Sequence, residues 1–363
     1  MAQPPQLSES LALLTGIEAL RERARAQLDA ATWQYLEAGT DDGVSAQWAA
    51  DAWQRLALHP RILRGVNETK IATDVLGVPI ALPVMIAPNG RATRYCAEGE
   101  LALLEGAQTA GTLAVLPSSV VPSLSALRAL APIQPVWQQL YMPRDRSVMR
   151  DVLATIREAK ASAIVLTADL VPDSRAAPPP PAPAFWEEPM GEALPGSLYS
   201  GASIDDLAWL CTEAGLPVIV KGVLRGDDAR LCVEAGASGL IVSNHGGNQL
   251  DTAVNVIEAL PAIVTGTAGR AEVYVDGGIR RGTSILKALA LGARAVLVGR
   301  PASYGLAADG ANGVASMIRL LEAELRRSMM LCGVHSLDDV EPSLIGRSAV
   351  DRSSDKTGQE PRS

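Results

Sequence analysis

Eight short apolar runs, rich in β-branched residues, recur through most of the chain with amphipathic segments between them. Most are continuously apolar rather than alternating, which is typical of strands buried on both faces of a parallel sheet. Eight strand-and-helix alternations without a domain break predict a closed (β/α)8 TIM barrel, with a doubly wound open sheet as the alternative. The runs are 81–87, 111–116, 136–141, 163–169, 216–221, 239–244, 272–276 and 295–299.

The rest of the chain divides around this pattern. Residues 1–70 are predicted to form an N-terminal helical extension, 71–346 the barrel, and 347–363 a polar, disordered tail. A proline-rich loop at 172–198 interrupts the rhythm after the fourth strand and contains four consecutive prolines. On a barrel this loop would lie at the active-site face, either as a plain surface loop or as a lid.

Charge and cysteine usage exclude several classes of protein. The net charge is −8 and no block of like charges occurs, which argues against binding to nucleic acid or to an anionic membrane. The four cysteines have no metal-binding spacing, so reduced thiols and no metal site are expected. No apolar run is long enough to span a bilayer, and the first residues do not resemble a signal peptide. The expected location is therefore the cytoplasm.

Polar side chains recur where the apolar runs end, and in a barrel those ends meet at the active-site face. A lysine, a histidine, two aspartates and two arginines fall there, together with small and amide residues. The residues are Pro88, Asn89 and Gly90 in the first strand loop, then Ser118, Gln139, Tyr141, Thr167, Asp169, Lys221, Ser243, His245, Asp276, Gly277, Gly278, Arg280, Gly299 and Arg300.

Two of these strand ends predict a phosphate site. Segment 276–282 and segment 298–300 place glycine N–H groups beside Arg280 and Arg300. Backbone N–H groups and guanidinium groups together bind a phosphate monoester, and barrels commonly hold phosphate after their last two strands.

The loop at 243–251 reads Ser-Asn-His-Gly-Gly-Asn-Gln-Leu-Asp and follows the sixth run. It contains His245, one of only three histidines, followed by two glycines that allow a ligand to approach the backbone closely. A titratable imidazole beside two glycines predicts a ligand-binding loop.

From about residue 35 to about residue 336 the chain resembles the FMN-dependent 2-hydroxy acid oxidases and dehydrogenases, such as glycolate oxidase, lactate oxidase and mandelate dehydrogenase. The resemblance rests on eight segments in order: 35–39, 86–88, 139–141, 166–169, 220–222, 243–251, 276–282 and 299–301. It implies an enzyme that binds FMN and oxidises a carbon that carries a hydroxyl or amino group next to a carbonyl.

The resemblance also implies a role for each matching residue. Asp276, Gly277, Gly278, Arg280, Gly299 and Arg300 would hold the phosphate and ribityl chain. Pro88, Asn89 and Gly90 would lie along the flavin, while Ser118, Gln139, Thr167, Ser243 and Lys221 would contact its polar edge. His245 would be the base during hydride transfer to flavin N5, paired with Asp169. Tyr141 and Tyr35 would bind the substrate.

One position departs from the family. Where those enzymes carry an arginine that binds the substrate carboxylate, this chain has Asn248. A relocated cation, Arg91 or Arg175, could replace that arginine. Alternatively, the substrate carries no free carboxylate, as the similar loop of premycofactocin synthase suggests, and is an amide, ester, lactam or carrier-bound acyl group. The second hypothesis is slightly preferred.

Two further points stay open at the level of the sequence. An FMN-dependent isomerase, or a flavin-binding protein without turnover, is the alternative outside oxidation. The electron acceptor is expected to be oxygen or a quinone, and the family implies a homotetramer or octamer.

Overall fold

The computed structural model describes residues 16–118, 127, 135–143, 145–170 and 202–347. The N-terminal part consists of helices α1 (Ile17–Gln27), α2 (Ala30–Glu37) and α3 (Val44–Arg55), followed by the short strand β1 (Leu56–Leu58). An antiparallel hairpin then forms from β2 (Thr73–Val75) and β3 (Val78–Ile80).

All eight predicted strands are present in one parallel sheet. They are β4 (Val84–Ile86), β5 (Val115–Leu116), β6 (Trp137–Leu140), β7 (Ala163–Thr167), β8 (Val218–Val223), β9 (Gly239–Val242), β10 (Glu272–Val275) and β11 (Ala295–Val298). Their order is β4-β11-β10-β9-β8-β7-β6-β5. The ladder is parallel throughout, as continuously apolar strands require when both faces are covered.

The sheet closes between its first and last strands. A parallel bridge pairs Ile86 of β4 with Ala114, which precedes β5, and the Ile86 N–H donates to the Leu113 carbonyl at 3.1 Å. Closure satisfies the edge groups that an open sheet would leave unpaired. The predicted TIM barrel is therefore confirmed, and the open sheet is wrong.

Helices surround the barrel and return the chain between strands. They are α4 (Gly99–Thr109), α5 (Arg146–Glu158), α6 (Ile204–Glu213), α7 (Gly226–Glu234), α8 (Val256–Thr267), α9 (Gly282–Ala290) and α10 (Arg300–Cys332). Helix α10 is kinked at Asp309 and Gly310, where the backbone leaves the helical region. None of the helices in the described ranges is long and apolar enough to cross a membrane.

The barrel interior is a packed core rather than a channel. Inward-facing side chains such as Trp137, Tyr274 and Ile219 are fully buried and form a cluster separate from the outer layer between sheet and helices. The β2–β3 hairpin closes the N-terminal end, because Val75 and Ile80 belong to the same cluster. The candidate site lies at the opposite, C-terminal end of the barrel.

Two segments that flank the barrel in sequence pair with each other. Strand β1 pairs antiparallel with β12 (Ile345–Arg347). Arg347 therefore belongs to a strand and not to the predicted tail, because its backbone pairs with Leu56. The remainder of the tail, 348–363, and the proline-rich loop 172–198 lie outside the described residues.

Candidate active site

His245 and Asp169 come together at the C-terminal end of the barrel, although they lie far apart in sequence. His245 Nδ1 is 2.9 Å from Asp169 Oδ1, and both side chains are about one-fifth exposed. Gly222 makes room for the aspartate, since a Cβ at that position would lie 2.5 Å from Asp169 Cγ. The family resemblance implied this pairing.

The loop that carries His245 has an unusual backbone. His245, Gly246 and Gly247 all adopt left-handed conformations, with φ of 57°, 65° and 78°. Such angles cost free energy for a non-glycine residue, and strain of this kind concentrates at functional sites. The Gly247 carbonyl accepts the Thr40 N–H at 2.8 Å, which ties the loop to the segment after α2.

The same loop also holds the N-terminal helices. Asp251 accepts hydrogen bonds from the N–H groups of Val44 (3.2 Å) and Ser45 (2.7 Å) at the start of α3. A carboxylate at a helix N-terminus satisfies donors that have no partner within the helix. Asp251 belongs to the recognised motif, but its capping role was not predicted.

Lys221 is buried on β8 between two carboxylates. Its ammonium donates to Ser243 Oγ at 2.9 Å and lies 3.4 Å from Asp276 Oδ2. Burial alone would lower the pKa of Lys221, but the charges of Asp276 and Asp169 outweigh it and raise the pKa above its ordinary value. Lys221 therefore holds a fixed positive charge in the site.

The electrostatics of Asp169 follow from the same arrangement. Burial would raise the pKa of Asp169, but the Lys221 charge and the hydrogen bond from His245 lower it below its ordinary value. Asp169 is thus an ionised acceptor facing His245 Nδ1.

Two residues predicted to contact the flavin edge contact each other. The Ser118 N–H donates to Gln139 Oε1 at 2.9 Å, which fixes the orientation of the amide. Thr167 is buried at the end of the adjacent strand β7. In the first loop, Asn89 Nδ2 donates to the Gly299 carbonyl at 3.0 Å, and Pro88 and Gly90 flank it, half-buried.

The predicted phosphate cradle packs directly on α3. Gly277 and Gly278 have φ of 94° and 71°, and a Cβ on Gly278 would lie 1.8 Å from the Ala49 carbonyl oxygen. Trp53 Nε1 donates to the Gly277 carbonyl at 2.9 Å. Only glycine allows this approach between the turn and the helix.

The two arginines of the cradle are half-buried and attached to backbone carbonyls. Arg280 donates to the Ile279 carbonyl at 3.0 Å. Arg300 donates to the Leu36 carbonyl (3.0 Å) and the Ala38 carbonyl (2.9 Å), at the end of α2. Both guanidinium groups lie close enough to Tyr304 to lower the pKa of its hydroxyl, although burial raises that pKa overall. The two arginines therefore share one region.

Unsatisfied polar atoms indicate that this end of the barrel is built for a ligand. Within the described ranges, Gln139 Nε2, Asn244 Oδ1 and Asp276 Oδ1 are buried without a hydrogen-bond partner. Buried polar groups are normally paired, so a ligand with complementary donors and acceptors would complete them. These atoms, the glycine cradle and the fixed charge of Lys221 fit a flavin nucleotide.

The predicted substrate residues are placed unequally. Tyr141 is half-buried and close enough to Lys221 to influence its pKa, while Asn248 Nδ2 donates to the His245 carbonyl at 2.9 Å. Arg91 is exposed, and Arg175 lies outside the described residues. The ring of Tyr35 instead lies beneath Arg94, whose Cζ is 4.8 Å from its centroid.

Arg94 was missed by the sequence analysis. It is only 7% exposed and lies in the 3₁₀ turn Ala92–Arg94 that follows β4. Arg94 follows Arg91, a predicted substrate residue, by three residues, which is one turn of a 3₁₀ helix. This spacing was the sequence feature that could have identified it.

The chain matches the FMN-dependent dehydrogenase family over residues 24–177 and 185–347. It is 38% identical to an L-lactate oxidase of Nostoc sp. over 349 residues, which is 89% of this chain and 95% of that protein. It is 33% identical to human 2-hydroxyacid oxidase 1 over 353 residues, or 91% and 95% of the two chains.

Solved structures agree with these relatives. A soluble mutant of the membrane-associated (S)-mandelate dehydrogenase of Pseudomonas putida superposes with a TM-score of 0.85 at 31% identity, covering 92% of this chain and all of that one. A mandelate oxidase structure with (S)-2-phenylpropionate gives a TM-score of 0.81 at 34% identity, with 92% and 98% coverage.

Fold, site and relatives point to the same conclusion. The cofactor is FMN, as the resemblance implied, and the protein is an oxidoreductase, so the isomerase and non-catalytic alternatives are not supported. The chain belongs to the family of FMN-dependent 2-hydroxy acid oxidases and dehydrogenases.

Proposed function

We propose that this enzyme oxidises a carbon that bears a hydroxyl or amino group next to a carbonyl, with His245 as the base. The observation that carries the proposal is the 2.9 Å pair between His245 Nδ1 and Asp169 Oδ1 at the mouth of the barrel. An ionised Asp169 accepts a hydrogen bond from Nδ1–H, so Nε2 is the nitrogen left to take a proton from the substrate. Asp169 then stabilises the imidazolium that forms.

FMN, when bound, accepts the hydrogen and the electron pair that leave the substrate carbon. Gly277, Gly278, Arg280 and Arg300 would hold its phosphate, and Gln139 Nε2 would donate to its polar edge. Lys221 would keep a positive charge beside that edge, since its pKa is raised by Asp276 and Asp169. Tyr141 and Tyr35 would orient the substrate.

Two substrate classes have support. The relatives named as lactate, glycolate and 2-hydroxyacid oxidases favour an ordinary 2-hydroxy acid. Asn248 favours a masked or biosynthetic derivative, because its neutral amide is half-buried in the His245 loop and suits a neutral carbonyl.

An anaerobic screen tests the proposal. Purified holoenzyme is mixed with lactate, glycolate and mandelate, and with lactamide and mandelamide, while flavin absorbance is followed. We expect at least one of these compounds to bleach the flavin, and His245→Gln to slow bleaching by roughly 10²–10⁴-fold while retaining FMN. Unchanged bleaching in His245→Gln, or none by any compound with wild-type protein, would contradict the proposal.

The acceptor, the cytoplasmic location and the assembly stay predictions. Oxygen or a quinone is proposed to reoxidise the enzyme, and a homotetramer or octamer is proposed in solution. Exposed apolar side chains beside the His245 loop, Trp48 (44%) and Leu250 (71%), support self-association. Light scattering of the holoenzyme would test the assembly.

A further inference from the structure

We propose that Arg94 binds the acid group of the substrate and replaces the cation that position 248 does not supply. This inference rests on the proposed function and makes it more specific, because a carboxylate-binding arginine favours a free 2-hydroxy acid over a masked derivative.

The position of Arg94 is the first support. It ends the Ala92–Arg94 turn, which follows β4 at the same end of the barrel as His245. Its guanidinium carbon is 4.8 Å from the centre of the Tyr35 ring, and the residue is only 7% exposed. A buried guanidinium on an aromatic face is held in a defined orientation.

Tyr35 connects Arg94 to the His245 loop. Tyr35 lies on α2, and the segment that follows this helix is bound to the loop through the Thr40 N–H and the Gly247 carbonyl, 2.8 Å apart. We therefore expect a substrate bound at His245 to contact Tyr35 and Arg94 on the side of the site that the N-terminal helices cover.

Three other polar side chains at this end are oriented by contacts within the protein. Asn248 donates its amide to the His245 carbonyl, and Lys221 lies 3.4 Å from Asp276. Arg300 donates to the carbonyls of Leu36 and Ala38. A carboxylate that is transferred from water into a buried site requires a charged partner, and a guanidinium can bind both of its oxygens.

Binding of oxalate, an unreactive dicarboxylate, tests the inference without turnover. Its dissociation constant is measured from the change in flavin absorbance of holoenzyme for wild type, Arg94→Met and Arg94→Lys. We expect Arg94→Met to weaken oxalate roughly 10- to 100-fold, as for loss of a charged hydrogen bond, and Arg94→Lys to recover part of that loss. Arg230→Met, on the outer surface of α7, is the control and should bind as wild type does.

Two competing cations are tested in parallel. If Arg91→Met or Arg175→Met weakens oxalate while Arg94→Met does not, the inference is overturned. It is also overturned if wild-type holoenzyme binds no oxalate, or if all variants bind it equally. If Arg94→Met does not fold, the oxalate dissociation constants of Arg94→Gln and Arg94→Lys are compared with that of wild type instead.

A comparison of acid with amide separates this inference from the proposed function. Reduction of the flavin by lactate and mandelate is compared with reduction by lactamide and mandelamide. We expect Arg94→Met to lower kcat/KM for the reactive acid at least 10-fold more than for its amide, which a purely structural role would not do. If no compound reduces the wild-type flavin, the proposed function fails. If acids do so and Arg94→Met does not change the acid-to-amide ratio, only this inference fails.

Discussion

At the residue scale, the charged side chains of the site are arranged so that opposite charges lie next to one another. Asp276 and Asp169 keep Lys221 protonated, and Lys221 in turn helps to keep Asp169 ionised. Asp169 then orients His245 through Nδ1. Because Lys221 and Asp276 are almost completely buried, removal of one charge would leave its partner unpaired in a poorly solvated environment.

Asp169→Asn should damage the reaction more than it damages the fold. The amide can still occupy the space beside Gly222, but it no longer stabilises an imidazolium and can bind the wrong tautomer of His245. We expect the anaerobic flavin-reduction rate to fall by roughly 10²–10⁴-fold, with FMN still bound. His335→Gln, at an exposed histidine that contacts the Arg64 carbonyl, is the control. A rate within twofold of wild type for Asp169→Asn would contradict this role for the pair.

The residues that the sequence predicted best are those whose position follows from strand order. Asp169 and His245 closely follow strands β7 and β9, so a barrel places both at its C-terminal end. Arg94 and the capping role of Asp251 were missed because side-chain direction within a loop depends on backbone angles that no periodic pattern encodes. The left-handed φ of Arg91 (64°) is such a detail.

At the element scale, the turn that carries Arg94 is held by a buried acid from the following helix. Glu100, in the first turn of α4, is 1% exposed and accepts the Ala92 N–H at 3.2 Å. Burial raises the pKa of Glu100 to about 7, although hydrogen bonds from backbone N–H groups oppose this shift. The carboxyl is therefore protonated in the folded protein at a pH where the unfolded chain has lost the proton.

Glu100 should make stability depend on pH. Its folded pKa of about 7 exceeds the ordinary 4.5, so its contribution is fully present below pH 4.5 and is lost as pH rises towards 7. The shift corresponds to about 3 kcal/mol in the free energy of unfolding. We expect wild type to lose stability relative to Glu100→Gln between pH 5 and pH 8, measured by urea unfolding. Glu105→Gln, an exposed site on the same helix, should follow wild type. Parallel pH profiles for wild type and Glu100→Gln would contradict the prediction.

One methyl group added at Gly278 should disturb both helix α3 and the phosphate cradle. Gly278→Ala places a Cβ 1.8 Å from the Ala49 carbonyl oxygen, so α3 must move. Gly269→Ala is a matched control, because the φ of Gly269 (+72°) is nearly the same as that of Gly278 (+71°). No atom lies within 4 Å of a Cβ placed on Gly269. We expect the control to lose about 1–2 kcal/mol from its left-handed backbone and Gly278→Ala to lose about 1–3 kcal/mol more. FMN affinity should fall only in Gly278→Ala; equal losses in both variants would exclude a role for the helix contact.

The elements were predictable to different degrees for physical reasons. All eight barrel strands were found because burial on both faces leaves a continuous apolar run. The β2–β3 hairpin was not predicted, since each strand has three residues and Pro79 lies in the second. Helix α8 contains Pro261, which removes a backbone donor and obscures the helical pattern.

At the scale of the whole molecule, one carboxylate links helices α1 and α2 to helix α10. Glu37 at the end of α2 accepts two hydrogen bonds from Arg21 of α1, at 2.8 and 2.6 Å, and one from the Tyr304 hydroxyl of α10. Tyr304 is almost fully buried, and burial raises its pKa to about 12, so the hydroxyl stays a donor. Arg300 binds the carbonyls of Leu36 and Ala38 on either side of Glu37, which places this junction beside the cradle.

Breaking this junction should therefore cost both stability and cofactor affinity. Glu37→Ala leaves the Tyr304 hydroxyl buried without its acceptor, and we expect a loss of about 1–3 kcal/mol in the free energy of unfolding. Tyr304→Phe removes that unsatisfied donor, so the double variant should be more stable than the sum of the two single losses predicts. FMN should bind more weakly to Glu37→Ala, because the Arg300 contacts on α2 are released with it. Glu22→Ala, at the exposed partner of Arg21, should change neither quantity. Additive losses in the cycle, with unchanged FMN affinity, would mean that the N-terminal helices merely cover the barrel and do not help to form its cofactor site.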